Sequence, residues 1–293
     1  MNTQAILEEM QARYEGRATV TLQMVKKSYG ERLGLLIKAN DKDYAPNIYL
    51  DSFEQFGDDL ERICDEIEKT YEENKDYTPA EDLLTWVRDF EKVRDKIQPR
   101  LVNPKASEGY LDDKVYREFA DLAIVYTVEL IKGENGTSSI VVSNGLLEMW
   151  DGVTEADLYE AAGKNITPKL VDINVVMAKK MERDGIPQEV IDAILAEFEG
   201  RMYVLSNGEP TESLHGAGVL PFMLEELSER FKKFVVIPSS VHEVIIVPTE
   251  PECFNPDKEE LANMVHDVNE SQVDVWDQLS DHAYYWNGSE LMI

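Results

Sequence analysis

Cysteine is scarce in this sequence: Cys64 and Cys253 are its only two. Neither belongs to a CxxC pair or to any metal-ligand spacing, so a disulfide framework is not expected and a reducing compartment is. Long apolar runs are also missing. No stretch approaches the roughly 20 residues that cross a bilayer. Residues 1–16 lack a basic segment leading into an apolar one, so neither a membrane span nor a secretion signal is expected. The chain shows no low-complexity segment and no internal repeat.

Positive charge is in short supply as well. There are 29 Lys+Arg against 58 Asp+Glu, a formal charge of −29, with an isoelectric point near 4.4. Such a field repels DNA, RNA and anionic lipid, which argues against direct nucleic-acid binding and against membrane binding. The imbalance is concentrated: residues 51–95 carry 16 acids against 6 bases, and residues 243–293 carry 12 acids against one lysine. A solvated face kept for solubility is one reading. A face for a basic partner is the other.

What is present is the composition of a folded protein, 43% hydrophobic and 9% aromatic over 293 residues, enough for one large domain or two smaller ones. Ile6, Leu7, Met10 and Tyr14 recur at helical spacing and Gly16 ends the pattern, which predicts a first helix. Extended segments at 19–25, 33–37 and 47–50 predict an antiparallel meander. Leu60, Ile63, Cys64, Ile67 and Tyr71 make one apolar stripe between acidic faces and predict a helix within 51–74. Pro79 suits the first turn of another over 79–90. Residues 119–130 read as a buried strand, which Gly133-Glu134-Asn135-Gly136 turns into a partner at 139–142.

Thr154 and Asp157 form a capping-box pattern ahead of Leu158, Ala161 and Ala162. Helical patterns follow over 169–183 and 188–199, then a strand at 202–205, a helix over 217–231 and strands at 234–237 and 241–247. That order permits a βαβ crossover. A helix over 257–269 and a hairpin about Asn287-Gly288 come last. The expected fold class is α+β, with mixed or antiparallel sheets packed with several helices. Residues 101–293 are expected to form the main body and residues 1–100 a helix, strand meander and acidic helical portion, with the boundary placed near residues 99–104.

The segment Ser239-Ser240-Val241-His242-Glu243, between two strands, holds residue types that serve as nucleophile, base and orienter. On an extended strand His242 and Glu243 point to opposite faces, and no Gly-x-Ser-x-Gly elbow surrounds the serines, so a structural turn is the competing reading. His215, His242, His266 and His282 are the candidate metal ligands. Three of them have an acidic neighbour (Glu243, Asp267, Asp281), yet none makes a recognised ligand spacing, and 58 acids produce such adjacency by chance. No cofactor is expected. His215-Gly216-Ala217-Gly218 precedes a helix as an anion-binding loop would, but it lacks the Walker A lysine and the GxGxxG pattern, and close helix-to-sheet packing accounts for its small residues. Asp121, in the apolar stretch 119–130, is a candidate half-buried acid with a perturbed pKa.

Several phrases also resemble a known family: Pro46-Asn47-Ile48-Tyr49-Leu50, Asp121-Leu122-Ala123-Ile124-Val125-Tyr126, Tyr203-Val204-Leu205-Ser206-Asn207, Leu279-Ser280-Asp281-His282, and above all Pro238-Ser239-Ser240-Val241-His242-Glu243-Val244-Ile245-Ile246-Val247-Pro248. Together they resemble an uncharacterised domain-of-unknown-function family of gut Firmicutes, often encoded near mobile genetic elements. The resemblance spans nearly the whole chain. It implies a bacterial cytoplasmic protein and supplies no activity, catalytic residue or cofactor. A setting among mobile elements favours a part in conflict between element and host. The functional expectation is an acidic interaction protein, rather than an enzyme, that binds a basic or nucleic-acid-binding protein, with nucleic-acid mimicry as its sharper form. The alternative is a hydrolase or metal-dependent enzyme centred on Ser239, Ser240, His242 and Glu243.

Overall fold

In the computed structural model, which describes residues 2–42, 45–75, 85–106, 108–133, 136–196, 202–210, 214–249 and 257–293, the chain divides into two compact units, Met1–Trp86 and Val87–Ile293.

In the first unit, helix α1 (Thr3–Arg13) starts where the Asn2 side chain accepts the Ala5 N–H at 3.2 Å, satisfying a donor that a helix start leaves unpaired. Strands β1 (Ala18–Lys27) and β2 (Gly30–Ala39) form an antiparallel hairpin, and β3 (Asn47–Tyr49) pairs with the far edge of β2. Helix α2 (Leu60–Asn74), capped by Asp59, turns Ile63, Cys64, Ile67 and Tyr71 inward. These join Ile6 and Met10 of α1 and Leu35, Ile37 and Ile48 of the sheet in one core. Arg13 fixes the two helices to each other, reaching Asp65 at 2.7 Å and Glu68 at 3.1 Å. Burial pushes the Cys64 thiol pKa up, which keeps it protonated and inert.

The second unit holds two sheets. Short helix α3 (Phe90–Val93) leads to β4 (Ile97–Val102), which pairs with one edge of the long β6 (Leu122–Gly133); β5 (Tyr116–Phe119) and β7 (Gly136–Val141) share the other edge. Consecutive residues of β6 from Leu122 to Val128 are buried, so this strand has core on both faces. After α4 (Asn144–Glu148), helix α5 (Glu155–Asn165) carries the predicted Thr154/Asp157 capping box and buries Leu158, Ala161 and Ala162.

The larger sheet has the order β13-β12-β10-β11-β9-β8. Its strands are β8 (Pro168–Asp172), β9 (Tyr203–Asn207), β10 (Phe234–Ile237), β11 (Val244–Pro248), β12 (Tyr284–Trp286) and β13 (Leu291–Met292). The hairpin of α6 (Ile173–Arg183) and α7 (Gln188–Ala196) connects β8 to β9, α8 (Leu220–Phe231) connects β9 to β10, and α9 (Lys258–Gln272) lies between β11 and β12. Strands β9 and β10 both pair antiparallel with β11, which lies between them, so they run in the same direction. The predicted crossover is therefore present with a third strand inserted. A 3-10 turn, Gly216–Val219, brings the segment before α8 onto β4: a Cβ at Gly218 would lie 2.3 Å from the Pro99 carbonyl oxygen, an approach only glycine permits.

The fold class is α+β, and every strand pair among the described residues is antiparallel. Three expectations change in detail. The helical pattern over 169–183 begins as strand β8, because Leu170 and Val171 pair with Leu205 and Val204; the helix starts only at Ile173. The stretch 119–130 is broken by a two-residue turn at Ala120 and Asp121, with Phe119 opposite Leu122 and Ala120 at φ 53°, so Asp121 sits on a turn and not within a strand. The strand expected at 241–247 starts at Val244, leaving Val241, His242 and Glu243 in the preceding bend. Cys253, residues 79–84 of the helix expected over 79–90, 197–199 of the pattern at 188–199, and Glu134-Asn135 of the hairpin turn lie outside the described residues.

Candidate functional site

Two Ser-x-His turns stand at one end of the larger sheet. In each, the serine hydroxyl accepts the backbone N–H of the histidine two residues on: His242 to Ser240 at 3.1 Å and His282 to Ser280 at 3.3 Å. One further residue leads into β11 or β12. Both strands pair antiparallel with β10, one on each side of it, so both turns lie beyond the C-terminal end of β10. A hydroxyl that folds its own backbone into a bend is the local reason the two sequences turn here.

The His242 ring is held from both sides. Its Nδ1 accepts the His215 backbone N–H at 3.1 Å, and its Nε2 lies 3.2 Å from Asp277 Oδ1. With Nδ1 occupied as an acceptor, the proton of the neutral ring resides on Nε2, the nitrogen that lies near Asp277. The backbone repeats the link, as Val241 N–H donates to the Asp277 carbonyl at 2.8 Å and Ser206 Oγ to the His242 carbonyl at 3.1 Å. His215 occupies a left-handed conformation, φ 58°, with its ring centroid 5.9 Å from that of His242. Burial, then the Arg100 guanidinium, then His242 push its pKa down to about 3, so it stays neutral. The half-buried Arg100 guanidinium, its pKa pushed down by desolvation, donates to Ser139 Oγ at 2.6 Å.

The second turn faces the β5–β6 bend. Asp121 Oδ1 accepts the Tyr284 hydroxyl at 2.8 Å, and its Oδ2 lies 3.6 Å from His282 Nε2 and 3.8 Å from Lys105 Nζ. His282 Nδ1 lies 3.2 Å from Ser280 Oγ. Ser280, His282 and Asp121 therefore form a line of hydroxyl, imidazole and carboxylate, with the imidazole–carboxylate gap just beyond hydrogen-bond reach. Burial above all pushes the Tyr284 phenol up; its bond to Asp121 acts in the same direction and Ser280 opposes it. Asn269 of α9 closes the group, donating to the Ser280 carbonyl at 3.0 Å and to Asp281 at 2.8 Å.

The structure thus brings His215 and His242 together, sets His282 beside Asp121, and leaves His266 on the outward face of α9, 3.4 Å from Glu270. Among the described residues no three His, Cys, Asp or Glu side chains gather as a metal would require. Ser240 Oγ meets the amide of His242 and not its ring. Asp277, Ser280 and Tyr284 are not among the candidate site residues that the sequence offers. The repeated Ser-x-His ahead of an apolar strand was a usable signal for Ser280; nothing local marks Asp277 or Tyr284, whose partners are distant in the chain.

Helix α9 is the acidic element beside these turns. It buries Leu261, Val265 and Asn269, while Glu259, Glu260, Asp267 and Glu270 are exposed. Lys258, the single lysine of residues 243–293, lies 4.5 Å from the Tyr285 ring and donates to the Ile293 carbonyl at 3.1 Å.

An α+β chain with antiparallel sheets and two matched Ser-x-His turns is the class that fold and site define. The chain belongs to a family of unknown function, DUF5688, whose model matches residues 2–288. No curated protein and no solved structure matches it. No helix of the described residues is long and apolar enough to cross a membrane.

Proposed function

We propose that the protein is an acidic binding protein whose C-terminal segment receives a basic protein partner. The observation that carries this reading is the one-sided charge of residues 243–293, 12 acids against Lys258 alone, with four of those acids exposed on α9. Exposed carboxylates with a single lysine among them repel one another until a cationic surface meets them. In its sharper form the partner is a nucleic-acid-binding protein whose groove takes carboxylates in place of phosphates. The resemblance to a family of gut Firmicutes encoded near mobile elements, and a reducing bacterial cytoplasm as the working compartment, fit that form.

The test is a pull-down from host lysate with the tagged full chain at low and high salt, recovered proteins being identified by mass spectrometry. A basic protein held at low salt, released at high salt, and not held by a chain carrying Glu259→Gln, Glu260→Gln, Asp267→Asn and Glu270→Gln supports the reading, because exposed charges are screened beyond about 8 Å at physiological ionic strength. A partner held equally at both salts overturns it.

A second reading follows from the line Ser280, His282 and Asp121: a hydrolase whose centre is this turn and not the 239–243 segment. Ser280 is 3% exposed, so this reading requires the turn to open for substrate. Labelling of the native chain by a fluorophosphonate, lost in Ser280→Ala, supports it; an unlabelled chain rules it out.

A further inference from the structure

We infer that the segment received by α9 is a basic amphipathic helix, seated on an apolar strip formed by Met264, Val268, Val275 and Trp276; the inference rests on the acidic-binding reading and names the partner's chemistry. Met264 and Val268 are one helical turn apart, beside the buried column of Leu261, Val265 and Asn269, yet they are 48% and 44% exposed. The turn after the helix adds Val275 and Trp276, 61% and 46% exposed. This turn is held to the end of α9 by Gln278, whose Nε2 donates to the Asn269 and Val273 carbonyls, each at 3.0 Å. The exposed apolar residues thus belong to α9 and to the turn held to its end.

Its edge is acidic. Glu260 precedes Met264 by one turn, Asp267 follows Met264 at the i,i+3 position, and Asp274 adjoins Val275; all three are exposed. Exposed apolar residues rimmed by charge of one sign mark a docking surface, and methionine and tryptophan are favoured there because one adapts its shape and the other fills area. The two features together select the occupant. A bare polycation leaves the apolar strip wet, an uncharged apolar segment leaves the carboxylates unanswered, and an anionic lipid or nucleic acid is repelled. A helix with apolar residues on one face and Lys or Arg flanking them answers both, in the manner of a helix laid in a groove.

The experiment uses the full chain and two labelled peptides of identical Lys and Leu composition, about five helical turns long. In one the leucines share a face; in the other they are scattered. Fluorescence anisotropy titrations at low salt are expected to show the amphipathic peptide binding about tenfold more tightly. The Met264→Ser/Val268→Ser double variant, altered only at exposed positions and checked for an unchanged melting temperature, is expected to erase that difference while binding the scattered peptide as before. Equal binding of the two peptides overturns the inference and leaves the acidic-binding reading standing. Binding of neither overturns both. A tenfold difference that survives in the double variant places the apolar contact elsewhere and overturns the assignment to α9.

Discussion

His242 sets its Nε2 3.2 Å from Asp277 Oδ1 while its Nδ1 takes the His215 amide proton at 3.1 Å. One neutral ring thus joins three segments: the residues before α8, the bend before β11 and the turn after α9. Its tautomer is fixed by the two contacts. Long-range nitrogen–proton NMR spectra are expected to show His242 protonated at Nε2 and bare at Nδ1. His242→Phe, which offers neither contact, is expected to lower stability by about 1–2 kcal/mol in urea titrations. A protonated Nδ1, or an unchanged midpoint, contradicts the arrangement.

His215 gives the pH dependence its sign. Its folded pKa is pushed down to about 3 from 6.5, by burial first and the Arg100 charge second. Between those values the unfolded chain binds a proton that the folded chain refuses, so stability falls as pH falls through this window, by at most about 1.4 kcal/mol per unit from this one group. Asparagine tolerates the left-handed backbone at this position and does not titrate. His215→Asn is therefore expected to lose stability less steeply than the wild type between about pH 6 and pH 4. The carboxylates titrate in both proteins and cancel in the difference. Parallel stability curves would show that the ring is protonated in the folded state.

Local patterns in the sequence carried their elements; patterns that depend on a distant partner did not. The stripes of α1 and α2 and the Thr154/Asp157 cap are set within a few residues and were legible. Strand β8 was not, because Leu170 and Val171 have helical spacing in the sequence and become extended only by pairing with β9. Asp121 was recognisable as an acid at the edge of an apolar run, but its partner Tyr284 lies 163 residues away. Within Ser239-Ser240-Val241-His242-Glu243 the elements of a nucleophile and base were visible; the backbone commitment of Ser240 was not.

Glu155 sits at the centre of a second polar group. It receives Arg117 in a two-pronged contact at 3.0 and 2.8 Å and also the hydroxyl of Tyr126. Tyr126 is fully buried, and its phenol pKa is pushed up by burial and then by Glu155. Arg117 in turn lies 3.8 Å over the Tyr159 ring. Glu155→Ala strands a buried hydroxyl and a half-buried guanidinium, and is expected to cost about 1–3 kcal/mol in urea unfolding. Glu155→Gln keeps one acceptor oxygen and is expected to cost less. A loss below about 0.5 kcal/mol for the alanine variant would mean that the group behaves as a solvent-screened surface pair.

Gly218 tests how the Gly216–Val219 turn holds the histidine pair. An alanine Cβ there would meet Pro99 O at 2.3 Å, Pro99 C at 2.8 Å and Arg100 Cα at 3.2 Å. All three are backbone atoms of β4, so no flexible side chain can swing away, and the turn itself must move. Overpacking of this kind costs about 1–3 kcal/mol. The turn follows directly on His215, whose amide holds His242 Nδ1, so displacement of the turn is expected to shift the His242 ring resonances as well as the unfolding midpoint. Gly145→Ala is the control. Its nearest neighbour is Ser143 Oγ at 4.0 Å, and it lies within α4, where alanine is favoured over glycine by about 0.5–1 kcal/mol. Gly218→Ala is expected to lower the midpoint and move the His242 signals; Gly145→Ala is expected to raise the midpoint slightly and leave them in place. If both variants leave the His242 signals unmoved, the histidine contact does not depend on the close approach of the turn to β4.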